Sequence, residues 1–394
     1  MAFNKPFCRS NTFSYKWDTP QLSREHPAII PFSVADSDYP TARTIVKAIK
    51  RRCCHGAFGY TYVDDGFRDT VVSWVGRHYG YRIKPDWVLT SPGVVSALYW
   101  SVHAYTAPGD TVVIQPPVYR PFYQVVTNAG RILALNRLKD LGTKYEIDYN
   151  DLEDKFKSGA KMMILCSPHN PVGRVWTKPE LERLVNLAKK YNVTLVSDEI
   201  HCDFILFGNR FTSLGAYVPD YKKIIVLFAP SKTFNIAGLD LACVIAPDDV
   251  MRKELVTIFS ENFISASNPL SIAAARAAFS KSDQWLSRQI IHLENNIQYL
   301  YGFFQKNIPE AVLYKIEGTY LVWIKISFLE KPADQVTAEL IDYGIAVNSG
   351  TMYGAAYSDY IRFNVACCHR QLKKGLEKFY RYAEDNKNEK LRNR

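Results

Sequence analysis

From about residue 86 the chain repeats one pattern: a short apolar run rich in β-branched residues, a few turn residues, then a stretch with helical periodicity. The runs are DWVLT (Asp86 to Thr90), TVVIQ (Thr111 to Gln115), KMMILC (Lys161 to Cys166), VTLVSD (Val193 to Asp198) and KIIVLFA (Lys223 to Ala229). A strand that is apolar throughout has no face to give to water. Such strands separated by helices therefore predict a mostly parallel sheet covered by helices on both faces, an α/β domain. The helical spacing is clearest in KPELERLVNLAKKYN, where Pro179 stands near the start.

Past about residue 281 the pattern changes to a long helix through WLSRQIIHLENNIQYLYGFF, then strands TYLVWIKI and YIRFNVA around a helix ADQVTAELIDYG. That predicts a smaller α+β domain over 281–394 beside a large domain over 46–280. Residues 1–45 are proline-spaced and strand-poor, and are expected to wrap over both.

With 394 residues, 47% of them hydrophobic, the chain can bury two cores. Its first residues hold no apolar run fit for a signal peptide, and no window stays uncharged long enough for a membrane span. The expectation is a cytoplasmic protein without a membrane partner. The eight cysteines include two adjacent pairs but no C-x-x-C, which favours reduced thiols over a zinc site or disulfide framework. The net charge of +10 is spread out, apart from KAIKRR (Lys47 to Arg52) and the terminal KNEKLRNR. The tail is expected to be a frayed, solvated end, and nucleic acid is not an expected partner.

In an open α/β sheet, ligands bind beyond the carboxyl ends of the strands. Past DWVLT come Gly93, Val94 and Val95, opening an apolar helix (VVSALYWSVHAY) whose first amides are free to hold an anion. Past TVVIQ, two prolines present Tyr119; past KMMILC, Asn170 stands between prolines. VTLVSD ends in Asp198 with His201 close behind, and KIIVLFA leads to Pro230, Ser231 and Lys232. Singly, each has an ordinary explanation: a helix start, a rim aromatic, a turn, a helix cap. His201, Cys202 and Asp203 beside Asp198 could suggest a metal, but residues on a strand-to-turn segment do not all face one way, so none is expected.

Together they are harder to explain structurally, because burying a lysine and an aspartate at one crevice costs desolvation energy. Burial also lowers a lysine's pKa and frees its amine to attack a carbonyl. A ring, an anion cradle, a carboxylate and an imine-forming lysine describe a pocket for pyridoxal 5′-phosphate, where the carboxylate keeps the pyridine nitrogen protonated.

Along these segments the sequence resembles the fold-type-I pyridoxal-phosphate enzymes of the class I/II aminotransferase family. Within them it resembles the C–S lyase branch typified by cystathionine β-lyases of the MalY/PatB type. The resemblance is carried by YKWD at Tyr15, PFSVADSDYP at Pro31, HGAFGYTY at His55, PGVVSAL at Pro92, PPVYRPF at Pro116, SPHNPVGRVW at Ser167, SDEIHCDF at Ser197, PSKTFNIAGL at Pro230, EGTYLVW at Glu317 and YIRFNVAC at Tyr360.

It implies an aspartate-aminotransferase-like fold with Lys232 as the lysine that carries the cofactor and Asp198 as partner of the pyridine nitrogen. Tyr119 would stack on the ring and assist catalysis, with Asn170 and His201 on the phenolic-oxygen side. The amides of Gly93, Val94 and Val95 with Ser231 would hold the phosphate, and Tyr60 would reach in from the other subunit of a homodimer. Arg362, with Asn170 and Ala35, would bind the amino-acid substrate, Arg362 as a fork on its α-carboxylate.

One departure bears on the reaction. Many aminotransferases of the family place a phosphate-binding arginine eight positions after the lysine; here that position is Asp240, and the position three before the lysine, often serine there, is Ala229. Weaker phosphate anchoring moves the expectation from amino transfer to α,β-elimination, giving a thiol, pyruvate and ammonia, with homocysteine as the thiol from cystathionine. The alternatives are a class I/II aminotransferase and, on the +10 charge alone, a regulatory or nucleic-acid-binding protein that retains the fold.

Overall fold

The computed structural model describes residues 2–19, 28–264 and 268–392. Seven strands form the large sheet: β1 (Val88–Ser91), β2 (Thr111–Ile114), β3 (Ile132–Leu135), β4 (Met162–Cys166), β5 (Thr194–Asp198), β6 (Ile224–Phe228) and β7 (Ala242–Ile245), in the order β1-β7-β6-β5-β4-β2-β3. Only β7 runs against its neighbours. The other pairings are parallel, so the five strands read from sequence share one carboxyl edge.

Among the described residues, twelve α-helices accompany the sheets. They are α1 (Arg43–Cys54), α2 (Asp65–Tyr79), α3 (Val94–Tyr105), α4 (Pro121–Thr127), α5 (Tyr149–Lys157), α6 (Lys178–Tyr191), α7 (Pro230–Thr233), α8 (Asp249–Glu261), α9 (Pro269–Lys281), α10 (Asp283–Asn307), α11 (Ala333–Asp342) and α12 (His369–Arg392).

The period-2 geometry of a strand deals alternate side chains to opposite faces. Met162, Ile164 and Cys166 of β4 join a core with α3, α4 and α8. Met163 and Leu165 join the opposite core, which holds side chains from α1, α2, α5, α6 and α9. Both faces are thus buried, and that is what a strand of unbroken apolar residues requires.

The first expected strand starts later than DWVLT, because Pro85–Trp87 form a 3-10 turn before β1. Strands β3 and β7 were not among those read from the sequence.

In the C-terminal part, β8 (Val312–Leu313), β9 (Leu321–Lys325), β10 (Asn348–Ser349) and β11 (Tyr360–Asn364) form an antiparallel sheet in the order β8-β9-β11-β10. Ile30–Pro31 pairs in parallel with Ile345–Ala346, and Phe3, Phe32 and Tyr39 pack into the core under this sheet. Residues 20–27 of the N-terminal stretch lie outside the described residues.

The expectation of a frayed tail is overturned for most of its length. Helix α12 continues to Arg392, and Lys387 pairs with Glu310 at 2.9 Å and with Glu384 at 3.5 Å. A charge-rich sequence with helical spacing keeps its helix once part of it is anchored. Residues 393 and 394 lie outside the described residues.

The two parts meet at a buried charge cluster. Arg174 gives Nε to Glu317 at 3.0 Å, Nη1 to the Tyr145 carbonyl at 3.0 Å, and Nη2 to both oxygens of Glu180 at 2.9 and 3.0 Å. Beside it, Gly173 has φ +70, and a Cβ there would come within 2.9 Å of Ile316, so glycine is needed for the two loop segments to approach so closely.

Candidate active site

Asp198 ends β5, in register with Cys166 of β4 and Leu227 of β6. It is buried, and its Oδ1 accepts only one described hydrogen bond, from the Ile200 amide at 3.1 Å. Burial pushes its carboxyl up to about 7, against the opposing effects of that amide and of Lys232. An acid buried this way lacks a cation close enough to hold it ionised, and a ligand carrying a protonated nitrogen would supply one.

Lys232 lies in α7, the single helical turn that follows β6. Its Nζ donates to the Ala35 carbonyl at 2.9 Å. Burial lowers its pKa; Asp36 opposes this, Arg362 adds to it, and Asp198 opposes it more weakly. The result is a lysine biased toward the neutral, nucleophilic amine.

His201 is buried, with its ring edge-on to Tyr320 at 5.7 Å. Burial, with Lys232 and Arg362 near, brings it down to about 3, so it is a neutral imidazole. Its Nδ1 has no partner among the described residues.

Arg362 comes from β11, opposite Trp323 on one side and Asn348 on the other. Nη1 donates to Asn170 Oδ1 at 3.1 Å, and Nη2 to the Ser33 carbonyl at 2.6 Å and to Asn348 Oδ1 at 2.9 Å, while the guanidinium lies over the Tyr353 ring. Its Nε is buried and has no partner among the described residues.

These contacts bring Lys232, Ala35, Arg362 and Asn170 together, with Asp198 close enough to feel the charge of Lys232, and His201 that of Lys232 and Arg362. Tyr119, 38% exposed, stands near enough for Arg362 and Asp198 to act on its hydroxyl, which burial holds above its ordinary range.

Gly93 is the N-cap of α3, with no side-chain cap among the described residues and open space where a Cβ would stand. The amides of Gly93, Val94 and Val95 thus open at the carboxyl end of β1, while Ser231 sits in α7 next to Lys232. Tyr60 stands apart from this cluster, with its whole ring in solvent beside the exposed Phe58 and Tyr62. Asp240 is exposed, in a left-handed conformation (φ +46) at the turn into β7.

The resemblance pointed to the segment Ser33–Tyr39 through Ala35, but not to how many of its backbone carbonyls line the site. Its carbonyls accept from Arg362 at Ser33, Lys232 at Ala35 and Asn364 at Val34 and Asp36. Asp36 pairs with Arg9 at 2.7 Å, and Asp38 with the buried Lys16 at 3.0 Å. Asp36 and Asp38 stand in the PFSVADSDYP stretch and were legible as acids, but the backbone acceptors from Ser33 to Asp36 carry no side-chain signal.

Unpartnered buried nitrogens at His201 and Arg362, an uncapped helix start and an acid short of a cation form a donor set that fits pyridoxal phosphate and an amino-acid carboxylate. The described residues contain no cluster of three or more His, Cys, Asp or Glu suited to a metal.

The chain is 37% identical over 382 residues to the cystathionine beta-lyase PatB of Bacillus subtilis (strain 168), spanning 96% of this chain and 98% of that protein. Cystalysin from Treponema denticola, whose crystal structure contains pyridoxal 5′-phosphate, matches with a TM-score of 0.94 at 30% identity, covering 97% of this chain and 98% of that one. The pyridoxal-phosphate-bound C–S lyase of Staphylococcus hominis, complexed with the inhibitor L-cycloserine, matches with a TM-score of 0.89 at 30% identity over 96% and 97% of the two chains. The model of the family described as aminotransferase class I and II matches residues 27–379. That span takes in both sheets and every strand end of the crevice, and the chain therefore belongs to the class I and II aminotransferase family.

Proposed function

We propose that this chain is a pyridoxal-phosphate-dependent C–S lyase that cleaves β-thioether amino acids such as cystathionine. The observation that carries the reading is the convergence of Lys232, Asp198 and Arg362 on one crevice, in a chain whose relatives over nearly full length bear the names cystathionine beta-lyase and C–S lyase.

Lys232 would hold the cofactor through its amine, with Asp198 as the partner of its pyridine nitrogen. Tyr119 would pack against it, and Asn170 and His201 would serve its phenolic oxygen. Ser231 and the amides of Gly93, Val94 and Val95 would hold its phosphate. When bound, the cofactor supplies an electron sink conjugated to the substrate α-carbon.

Arg362 holds the substrate carboxylate, with Asn170 and the Ala35 carbonyl beside it, and so fixes the α-carbon near Lys232. The Lys232 amine, freed when the substrate's amino group takes its place, would then accept the α-proton onto Nζ. The Cα–H electron pair becomes the second Cα–Cβ bond, the Cβ–S pair leaves with sulfur, and the proton on Nζ passes to that sulfur to give the thiol. The three-carbon enamine left over hydrolyses with one water to pyruvate and ammonia.

A second copy of the chain completes the site in this reading. Tyr60, exposed beside Phe58 and Tyr62, is the group it offers across the homodimer. No described helix is long and apolar enough to cross a membrane, and we place the enzyme in the cytoplasm.

The test is the purified holoenzyme with cystathionine and no keto acid. Equimolar homocysteine, pyruvate and ammonia are expected. Product formation that begins only when a keto acid is added, with the amino group appearing on that acid, would assign amino transfer instead.

A further inference from the structure

Asp203 stood beside His201 in the sequence as a conceivable metal ligand, a role for which the described residues hold no cluster. Its carboxylate is nonetheless buried and fully engaged. Thr233 donates its hydroxyl to Oδ2 at 2.7 Å, and Tyr79 donates to Oδ1 at 2.6 Å. The Tyr79 oxygen itself accepts from Trp74 Nε1 and from Cys202 Sγ, each at 3.0 Å.

Thr233 directly follows Lys232 and closes α7, a helix of four residues with no side-chain cap among the described residues. A lone helical turn is unfavourable by itself, because nucleation fixes several dihedrals for one hydrogen bond. The geometry of the lysine turn must therefore be imposed from outside.

Two contacts impose it. One is the Thr233 bond to Asp203. The other comes just past the turn, where Asn235, in the left-handed region at φ +54, gives its Nδ2 to the carbonyls of Ser37 at 2.9 Å and Tyr39 at 2.7 Å. Asparagine is among the residues that tolerate that conformation.

We infer that Asp203, acting through the Thr233 hydroxyl, is a positioning residue that fixes the Lys232 turn so that the amine meets the reacting carbon from one direction. This rests on the reading of Lys232 as the reacting amine, and it is indifferent to whether elimination or amino transfer follows. The Asp198–Asp203 segment then serves the site twice, since one end faces the cofactor nitrogen and the other holds the lysine that must work beside it.

The test is Thr233→Val, which removes the hydroxyl and keeps the shape, with Thr233→Ser restoring it. In the holoenzyme, Thr233→Val is expected to lower kcat about tenfold to a hundredfold with KM changed less than about twofold. Thr233→Ser is expected to recover most of that loss.

A second readout uses the cofactor-free protein: the rate at which an amine-directed acylating reagent labels Lys232, followed by peptide mass spectrometry. It should shift about threefold or more in Thr233→Val and return in Thr233→Ser. If Thr233→Val does not fold, Asp203→Asn, which can keep only part of the acceptor pair, carries the same two readouts.

Unchanged kcat and labelling in a variant that merely melts earlier would overturn the inference, as would a serine variant that fails to recover. Full activity in Lys232→Ala would instead strike the functional reading beneath it.

Discussion

Two buried arginines, Arg174 and Arg362, sit at opposite extremes of electrostatic satisfaction. Arg174 at the seam between the two sheets meets two glutamates, Glu180 and Glu317, and a carbonyl, and it stacks over Trp176. Arg362 in the crevice meets two side-chain amides and a carbonyl, no carboxylate, and keeps Nε unpartnered among the described residues. Both are nearly inaccessible to solvent. A buried cation without a counterion is costly unless something else supplies the charge. Arg174 is therefore a finished structural joint, whereas Arg362 is left short of an anion, which in the function proposed above is the substrate carboxylate.

The contrast breaks most visibly on stability. Arg174→Gln leaves Glu180 and Glu317 without their cation at the seam, and should cost about 3–5 kcal/mol of unfolding free energy in denaturant titrations. KM measured on whatever protein remains folded should hold.

Arg362→Lys has the converse signature. It keeps the charge and loses the planar fork, so KM should rise about ten- to a hundredfold, or about 1.4–2.7 kcal/mol, while the stability loss stays below that of the Arg174 change. Equal stability losses in the two variants would contradict the distinction.

The crevice also carries a pH signature in the neutral range, whereas at the seam Glu180 is held below its ordinary value and answers only to acid. Asp198 is held at about 7 in the fold, above its ordinary value of 3.8. An acid whose folded pKa is raised binds its proton more tightly in the native state, so its contribution to stability is full at low pH and is lost as pH rises from about 4 through 7. His201, lowered to about 3, works in the opposite direction between its two values. The comparison that isolates Asp198 is therefore the difference between the cofactor-free parent and Asp198→Asn. The variant should gain on the parent by about 1–4 kcal/mol between pH 5 and pH 8 in urea unfolding. A pH-independent difference would show that Asp198 is ionised throughout.

The smallest effect belongs to an exposed pair. Lys387→Gln removes the contacts to Glu310 and Glu384 on α12 and should shift unfolding free energy by about 0–1 kcal/mol. It sets the scale against which the Arg174 loss is judged.

The strand ends were legible because buried parallel strands carry few polar residues within them, so Asp198, Asn170 and Lys232 stood out where apolar runs stopped. The neighbouring strand β7, Ala242–Ile245, is equally apolar, but it follows the lysine motif so closely that it was absorbed into it. Strand β3 is short and half-exposed, which weakened its pattern.

What stayed hidden is nonlocal. The Ala35 carbonyl that receives Lys232, the Arg9 partner of Asp36 and the Glu317 partner of Arg174 are joined by the fold across long stretches of chain, and no spacing announces them. The tail differed in one respect only: it is solvated as expected at Asn388 and Glu389, but the helix runs on to Arg392 instead of fraying earlier.

Borohydride reduction of the holoenzyme followed by peptide mapping tests the role of Lys232 most directly. A single pyridoxyl adduct on Lys232 is expected, absent from Lys232→Ala. An adduct on another lysine, or a Lys232→Ala protein that binds the cofactor covalently as before, would contradict it.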